Sequence, residues 1–353
     1  MVRIHQAVSA FLLLLMPVGL HAAPPSKQAP AGSVLSGENG PADSAEQAIE
    51  SAQPAGDYGK HSRDLLIRVE VLLDRAHFSP GEIDGRDGDN LKRAIAAYKE
   101  AHGLSNSQQL DSALLNALTG ADGQPVMQLY TIAAEDEKGP FLGRVPKQLK
   151  DLAKLKAVGY GDPQEMLAEK FHMSPQLLRD LNPKANFVTP GTSLLVARPG
   201  TGALPTVARV EVDKSANQVR AYDASGKIVG AFPATVGSTE RPAPSGTATV
   251  VAVASNPTYN YEPGRLTFGP KSLGRLTVAP GPNNPVGTTW ISLSIETYGI
   301  HGTPDPELVG KTASHGCVRL TNWDAAALGK AVKKRTPVEF VGETQPHPGA
   351  KAR

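Results

Sequence analysis

The sequence predicts a multidomain protein: a mostly-β domain over residues 206–342, preceded by a small three-helix bundle over 61–120 and a small α+β domain over 125–200. Three observations predict it. Apolar residues recur at helical spacing between His61 and Gly120, a strand–helix–helix–strand order runs from Pro125 to Pro199, and from Thr206 onward short β-rich runs alternate with Gly, Pro, Asn and Asp. At 353 residues the chain is also too long for one compact core.

At the N-terminus Arg3 precedes an apolar run from Ala7 to Leu20, and small residues Ala22 and Ala23 follow. That is the pattern of a signal peptide over 1–23, so the mature protein is expected outside the cytoplasm. The run of about fourteen residues is shorter than the roughly twenty a membrane span needs; an uncleaved anchor is the alternative. Residues 24–60 are rich in Ala, Pro, Ser, Gly and Gln, with acidic Glu38, Asp43, Glu46, Glu50 and Asp57, and read as a disordered linker. A short helix around Ala45 to Ala52 is the other reading. Losing Arg3 with the signal brings the formal charge from +2 to about +1. This balance argues against a nucleic-acid partner, which requires a clustered basic face.

In the first helical segment Leu65, Leu66, Val69, Leu72 and Leu73 form one face, and Leu91, Ala94, Ile95 and Tyr98 another. Gly103 reads as a C-cap, and Asp111 as the cap of a third helix carrying Leu114, Leu115 and Leu118. The acidic loop from Phe78 to Asp89 is not a calcium site, because positions three and five from Asp84 are Arg86 and Gly88. With Pro80-Gly81 ahead of Ile83-Asp84-Gly85 and a closing short helix, the segment resembles the peptidoglycan-binding three-helix module. Further on, strand-like Val126–Ile132 and Ser193–Val196 bracket two helices, one carrying Met166, Leu167 and Phe171, the other starting at Ser174-Pro175 and stopping at Asn182-Pro183. This order resembles a LysM-type glycan-binding module, with an insertion from Glu135 to Gly161. A packing domain without a ligand is the alternative.

Strands of the third region are expected at Ala208–Val212, Val219–Tyr222, Ile228–Thr235, Thr247–Val253, Thr289–Ile295 and Val338–Val341. One helix interrupts them, Asn322–Arg335, with Asp324 in its first turn and Lys333, Lys334 and Arg335 in its last, as the helix dipole favours. Residues 343–353 read as a flexible tail.

The single cysteine of the chain, Cys317, stands in Ser314-His315-Gly316-Cys317-Val318-Arg319-Leu320, sixteen residues after His301 in His301-Gly302-Thr303-Pro304. Exported proteins generally use cysteines in disulfide pairs, so an unpaired one needs another reason. A buried thiol acting as a small hydrophobe is one, but Gly316, His315 and Ser314 make poor packing partners. Nucleophilic chemistry is the other. A thiol attacks as its thiolate and needs a base or cation nearby; His301 and His315 are the candidates, the first from a neighbouring strand, the second on the same face of an extended segment. Backbone N–H groups of His315, Gly316 and Cys317 are candidate oxyanion donors, typically worth roughly 3 kcal/mol each. Gly316 lets the backbone approach substrate, and Arg319 can hold a substrate carboxylate through a bidentate pair, or an ion pair within the domain. Zinc would need a fourth ligand that the spacing does not offer, and Gly310-Lys311-Thr312 lacks the first glycine of a phosphate loop, where Asp305 stands. No cofactor or metal is expected.

The two segments together resemble the active-site signature of the L,D-transpeptidases of the YkuD/ErfK type, supported by Val236-Gly237 leading into Pro242-Ala243-Pro244-Ser245-Gly246-Thr247 and by Thr321-Asn322-Trp323-Asp324. The resemblance implies a β-sandwich catalytic domain in a bacterial periplasm or envelope. It implies that Cys317 is the nucleophile, His301 its general base with a backbone carbonyl orienting the ring, and His315 and Gly316 the oxyanion support. Ser314, Arg319 and Gly302 are the candidate substrate-binding residues. The implied reaction releases terminal D-alanine from a peptidoglycan tetrapeptide stem, holds the stem as a thioester on Cys317, and passes it to an amine. The acceptor is a diaminopimelate giving a 3–3 cross-link, a lipoprotein lysine, or water. Carbapenems are the expected inhibitors, and Ser255–Pro285 is the expected seat of acceptor specificity. An L,D-carboxypeptidase, an enzyme detaching wall-bound protein, and a non-catalytic murein-binding protein are the rival readings.

Overall fold

The computed structural model describes residues 41–54, 61–105, 107–238, 242–264, 271–312 and 316–343. The signal segment, the linker up to residue 40 and the tail beyond 343 lie outside the described residues.

Where the linker is described, it is a helix. In α1 (Pro41–Ser51) Ile49 is fully buried, Ala42, Ala45 and Ala52 pack beside it, and Glu50 accepts the Met127 N–H at 2.8 Å. Alanines around a single isoleucine give the low mean hydropathy of a disordered stretch, yet their helical spacing leaves one apolar edge to dock. The expected helices follow. α2 (Arg63–Arg75) is capped by Ser62, and α3 (Asp89–Ala101) precedes Gly103 at φ +64°. α4 (Ser112–Ala121) is capped by Asp111, whose carboxylate also takes the buried Lys99 ammonium at 2.5 Å.

Next come β1 (Met127–Thr131), α5 (Ala134–Glu137), α6 (Leu149–Leu152), α7 (Pro163–Lys170), α8 (Pro175–Leu181) and β2 (Ser193–Ala197), with β1 and β2 antiparallel and Met127 opposite Ala197. Asp162 and Ser174 cap α7 and α8, each with proline at the first helical position. The two N-terminal segments expected as separate modules share one core, in which Leu65, Leu73, Ile95 and Leu114 join Met127, Leu167, Leu178 and Val196. The insertion does not project into solvent. Leu142, Val145, Leu149, Leu152 and Val158 pack on Val278 and Tyr259.

The mostly-β domain contains β3 (Arg209–Asp213), β4 (Gln218–Tyr222), β5 (Ile228–Pro233), β6 (Thr235–Val236), β7 (Gly246–Ser255), β8 (Tyr259–Tyr261), β9 (Leu276–Val278), β10 (Thr289–Leu293), β11 (Gly299–His301), β12 (Val318–Arg319), α9 (Asn322–Ala331) and β13 (Pro337–Val341). Among the described residues nine strands run in the order β5-β4-β3-β13-β7-β10-β11-β12-β6, with β8-β9 a separate hairpin. Rather than two independent layers, the two halves are continuous through β7, whose start pairs with β13 and whose end pairs with β10. Val210, Val212 and Phe232 from one half meet Ile291, Ile300 and Val318 from the other, and Ala325 and Leu328 of α9, in a single core. The helix ends at Ala331, so Lys333, Lys334 and Arg335 lie past it rather than in its last turn. Arg335 adopts φ +74° and donates its N–H to Val250 O, turning the chain into β13. Pro337 excludes helix from the residue before it, a stop that outweighs the charge pattern.

All three segments meet at a buried polar junction. The Asp74 carboxylate of α2 bonds His172 Nδ1 at 2.9 Å, the His172 ring stacks on Trp323 at 4.9 Å, and Ser79 Oγ donates to Asp324 Oδ2 at 2.9 Å. Burial pushes the carboxyls of Asp324 up to about 7 and of Glu82 up to about 8. For His172, burial opposes the charge, but Asp74 outweighs it and raises the imidazole above its ordinary value. Both kinds of group bind protons more tightly folded than unfolded. Their stabilisation is therefore present at lower pH and lost as pH rises through the folded values. We expect the urea midpoint of the full chain to fall between about pH 6 and 8. Asp324→Asn should flatten that slope and be more stable than wild type at pH 8, by on the order of 1–3 kcal/mol. Parallel slopes for the two proteins would refute the assignment.

Candidate active site

The site is assembled by two short parallel strands. In the β11–β12 pair His301 stands opposite Arg319 and Ile300 opposite Val318. Alternation along a strand therefore sends His301 and Arg319 to one face and Ile300 and Val318 into the core behind them. Cys317 stands two residues before Arg319, just ahead of β12, and feels the charge of that guanidinium. The sixteen-residue interval is the crossover that lets two parallel strands lie side by side.

His301 is 4% exposed, and its Nδ1 lies 2.6 Å from Gly302 O. A carbonyl has no proton to give, so Nδ1 carries the hydrogen and Nε2 is left with its lone pair. Trp290, directly across the β10–β11 pair, stacks on the imidazole with centroids 5.3 Å apart, and its own Nε1 donates to Ser292 Oγ at 2.7 Å. Burial, then the Arg319 charge, push the imidazole down to about 3 against the pull of the Gly302 carbonyl. His301 is a neutral base at any physiological pH.

Cys317 is partly buried, with Sγ 3.9 Å from Thr297 O. Burial pushes the thiol up, while a hydrogen bond from the Gly299 N–H and the Arg319 charge pull it down. With the thiol raised and the imidazole lowered, both groups are neutral at rest. The turn that delivers these contacts is strained: Thr297, a β-branched residue, sits at φ +59°. Gly316 adopts φ +127°, a conformation that suits glycine alone. Ser314 and His315 lie outside the described residues.

Burial lowers the Arg319 guanidinium, offset by Cys317, Asp305 and Tyr259. Among the described residues no carboxylate forms an ion pair with Arg319. Three groups escaped the sequence reading. Tyr259, on the β8–β9 hairpin, is pushed up to about 12 by burial and by the neighbouring Cys317 and Tyr261, with Arg319 opposing. Trp290 and the Gly299 N–H are the others; the register of Trp290 against His301 is the signal that finds it, and this needs the strand pairing. Among the described residues no cluster of metal-ligating side chains occurs.

A family model described as the L,D-transpeptidase catalytic domain, YkuD, matches residues 208–340. The Bacillus licheniformis protein YkuD, named as an L,D-transpeptidase, is 30% identical over 183 residues, which span 51% of this chain and 94% of that protein. The chain belongs to the L,D-transpeptidase family. The Bacillus subtilis L,D-transpeptidase YqjB is similarly related, 31% identical over 147 residues covering 39% of this chain and 74% of that one. Among solved structures, the catalytic domain of an E. faecium L,D-transpeptidase acylated by ertapenem is 23% identical and covers 40% of this chain and all of that one, with a TM-score of 0.31. Everything before residue 208 of this chain lies outside the family model.

Proposed function

We propose that the protein is an exported, cysteine-dependent L,D-transpeptidase acting on peptidoglycan tetrapeptide stems. The observation that carries the reading is a neutral, carbonyl-oriented His301 opposite Arg319, whose charge acts on both the imidazole and the Cys317 thiol. As Sγ bonds to the carbonyl carbon of the third stem residue, the thiol proton passes to His301 Nε2 and the carbonyl electrons move onto oxygen, facing the backbone donors around Gly316. Collapse of that intermediate breaks the C–N bond, and the imidazolium returns its proton to the departing D-alanine amine. The stem is now a thioester. An acceptor amine attacks it, loses a proton through His301, and restores the thiol.

Arg319 takes the carboxylate of the stem, and Gly302 and Ser314 are the further proposed substrate-binding residues. The amine of another stem gives a 3–3 cross-link, a lysine attaches a lipoprotein, and water makes the same acyl-enzyme a carboxypeptidase. The N-terminal segments are proposed to bind glycan and stem, which raises the local concentration of the site at the wall. A carbapenem, whose strained carbonyl imitates the stem, is the proposed inhibitor.

The test is intact mass after incubation with labelled stem peptide. Wild type should gain one acyl group and Cys317→Ala none; an unmodified wild type, or a labelled Cys317→Ala, rejects the mechanism. Products formed with and without added amine separate transfer from hydrolysis. Wall binding without any acylation would leave only a murein-binding protein.

A further inference from the structure

The chemistry above makes no use of Asn322, the first residue of α9, although its side chain is 3% exposed and fully engaged. Asn322 Oδ1 accepts the Thr288 N–H at 3.1 Å. Its Nδ2 donates to Pro282 O at 3.2 Å and to both oxygens of Glu169, at 3.0 and 3.3 Å. Glu169 belongs to α7, far outside residues 208–340, and also accepts the Tyr160 hydroxyl at 3.2 Å.

The amide of Asn322 lies against the backbone that holds the catalytic imidazole. A Cβ on Gly302 would run into Asn322 Oδ1 and come within 3.3 Å of Asn322 Cα; a Cβ on Gly287 would strike the same oxygen and approach Gly302 C to 2.6 Å. Asn322 is thus wedged between Gly287 and Gly302, and any displacement of it displaces Gly302. The Gly302 carbonyl is the group that keeps the proton of His301 on Nδ1 and the lone pair on Nε2. A carboxylate in the N-terminal half of the chain is therefore connected, through one amide and one peptide unit, to the tautomer of the base.

We propose that Asn322 is a positioning residue for His301 and that Glu169 holds Asn322 in place, so that the segment preceding the catalytic domain sets the competence of the Cys317–His301 pair. The proposal rests on the functional reading above. Near-attack geometry is steep in distance, and outer groups that orient a catalytic histidine typically carry about a 10–100-fold effect.

The experiment uses the full chain and ertapenem, following acylation of Cys317 by intact mass. Glu169→Ala should lower the limiting acylation rate about 10–100-fold with the half-saturating concentration changed less than about twofold. Glu169→Gln should recover most of the rate, because its Oε1 still accepts from Asn322 Nδ2. In a His301→Gln background Glu169→Ala should cost nothing further, since it acts through the imidazole. A wild-type rate in Glu169→Ala, or an equal loss with and without His301, overturns the proposal. If Glu169→Ala does not fold, Glu169→Asp, one methylene shorter, carries the same expectations. A wild type that takes no acyl group rejects the functional reading instead. The imidazole ¹⁵N shifts of His301 then still decide: Nδ1–H in wild type with mixed tautomers in Glu169→Ala supports the proposal, and unchanged Nδ1–H overturns it.

Discussion

Replacing His301 by glutamine should slow acylation of Cys317 by about 10²–10⁴-fold at neutral pH, the usual contribution of a positioned base. The expectation is large because the thiol is raised by burial and does not ionise by itself at that pH. A pre-formed thiolate–imidazolium pair would tolerate the change better, since Gly299 and Arg319 would still favour the anion. The pH profile separates the two mechanisms. A base pushed down to about 3 keeps its lone pair through the mildly acidic range, so wild-type acylation should persist well below the ordinary histidine value near 6.5. Arg319→Met removes a repulsive charge and raises the imidazole, and a protonated imidazole accepts nothing. The acid limb should therefore move to higher pH in that variant, read from acylation rates between about pH 3 and 7. A limb that stays in place, or moves down, would show that Arg319 does not set the state of His301.

Gly287→Ala is expected to be severely damaging. The residue sits at φ +61°, where a side chain costs about 1–2 kcal/mol. Its new Cβ would also meet Asn322 Oδ1 and backbone of Gly302, and overpacking against unyielding atoms costs typically about 1–3 kcal/mol. The loss should total about 2–5 kcal/mol in urea unfolding. Any protein that remains folded should acylate at least about tenfold more slowly, because relief of the clash moves the carbonyl that orients His301. Gly226→Ala, at φ +84° with nothing within 4 Å of its added methyl among the described residues, is the control: it should show the backbone cost alone and leave the acylation rate unchanged.

Much of the site was legible because its chemistry is compressed into two short segments. The lone cysteine, the glycine beside it and a histidine sixteen residues earlier suggest a nucleophile and a base with little help from the fold, and the β11–β12 pair sets His301 opposite Arg319, two residues past Cys317. The strands with several consecutive β-formers, such as 209–213 and 289–293, were also readable. What escaped was set by partners remote in sequence. β11 and β12 are three and two residues long, too short to show alternation, and exist because β10 and β6 pair with their edges. Trp290 gains its role from a cross-strand register, and Tyr259 from a hairpin held by hydrophobic residues more than a hundred positions earlier. At α1 the alternative reading, a short helix around Ala45 to Ala52, is the one that forms; its single isoleucine looks too sparse to fold until the surface it covers is known.

The insertion at 135–161 carries a consequence for anyone who wishes to cut this protein into parts. Val158 donates its N–H to Pro280 O at 3.0 Å and accepts from Asn283 N–H at 3.2 Å, while Leu152 and Val158 close over Val278 and the ring of Tyr259. A fragment begun at Thr206 keeps Cys317, His301 and Arg319 yet leaves that hairpin bare on one side, and Asn322 without its acidic partner. The boundary drawn by family likeness is therefore not a seam along which the molecule can be severed. Exchanging the N-terminal half for another would also remove the packing that supports the β8–β9 hairpin.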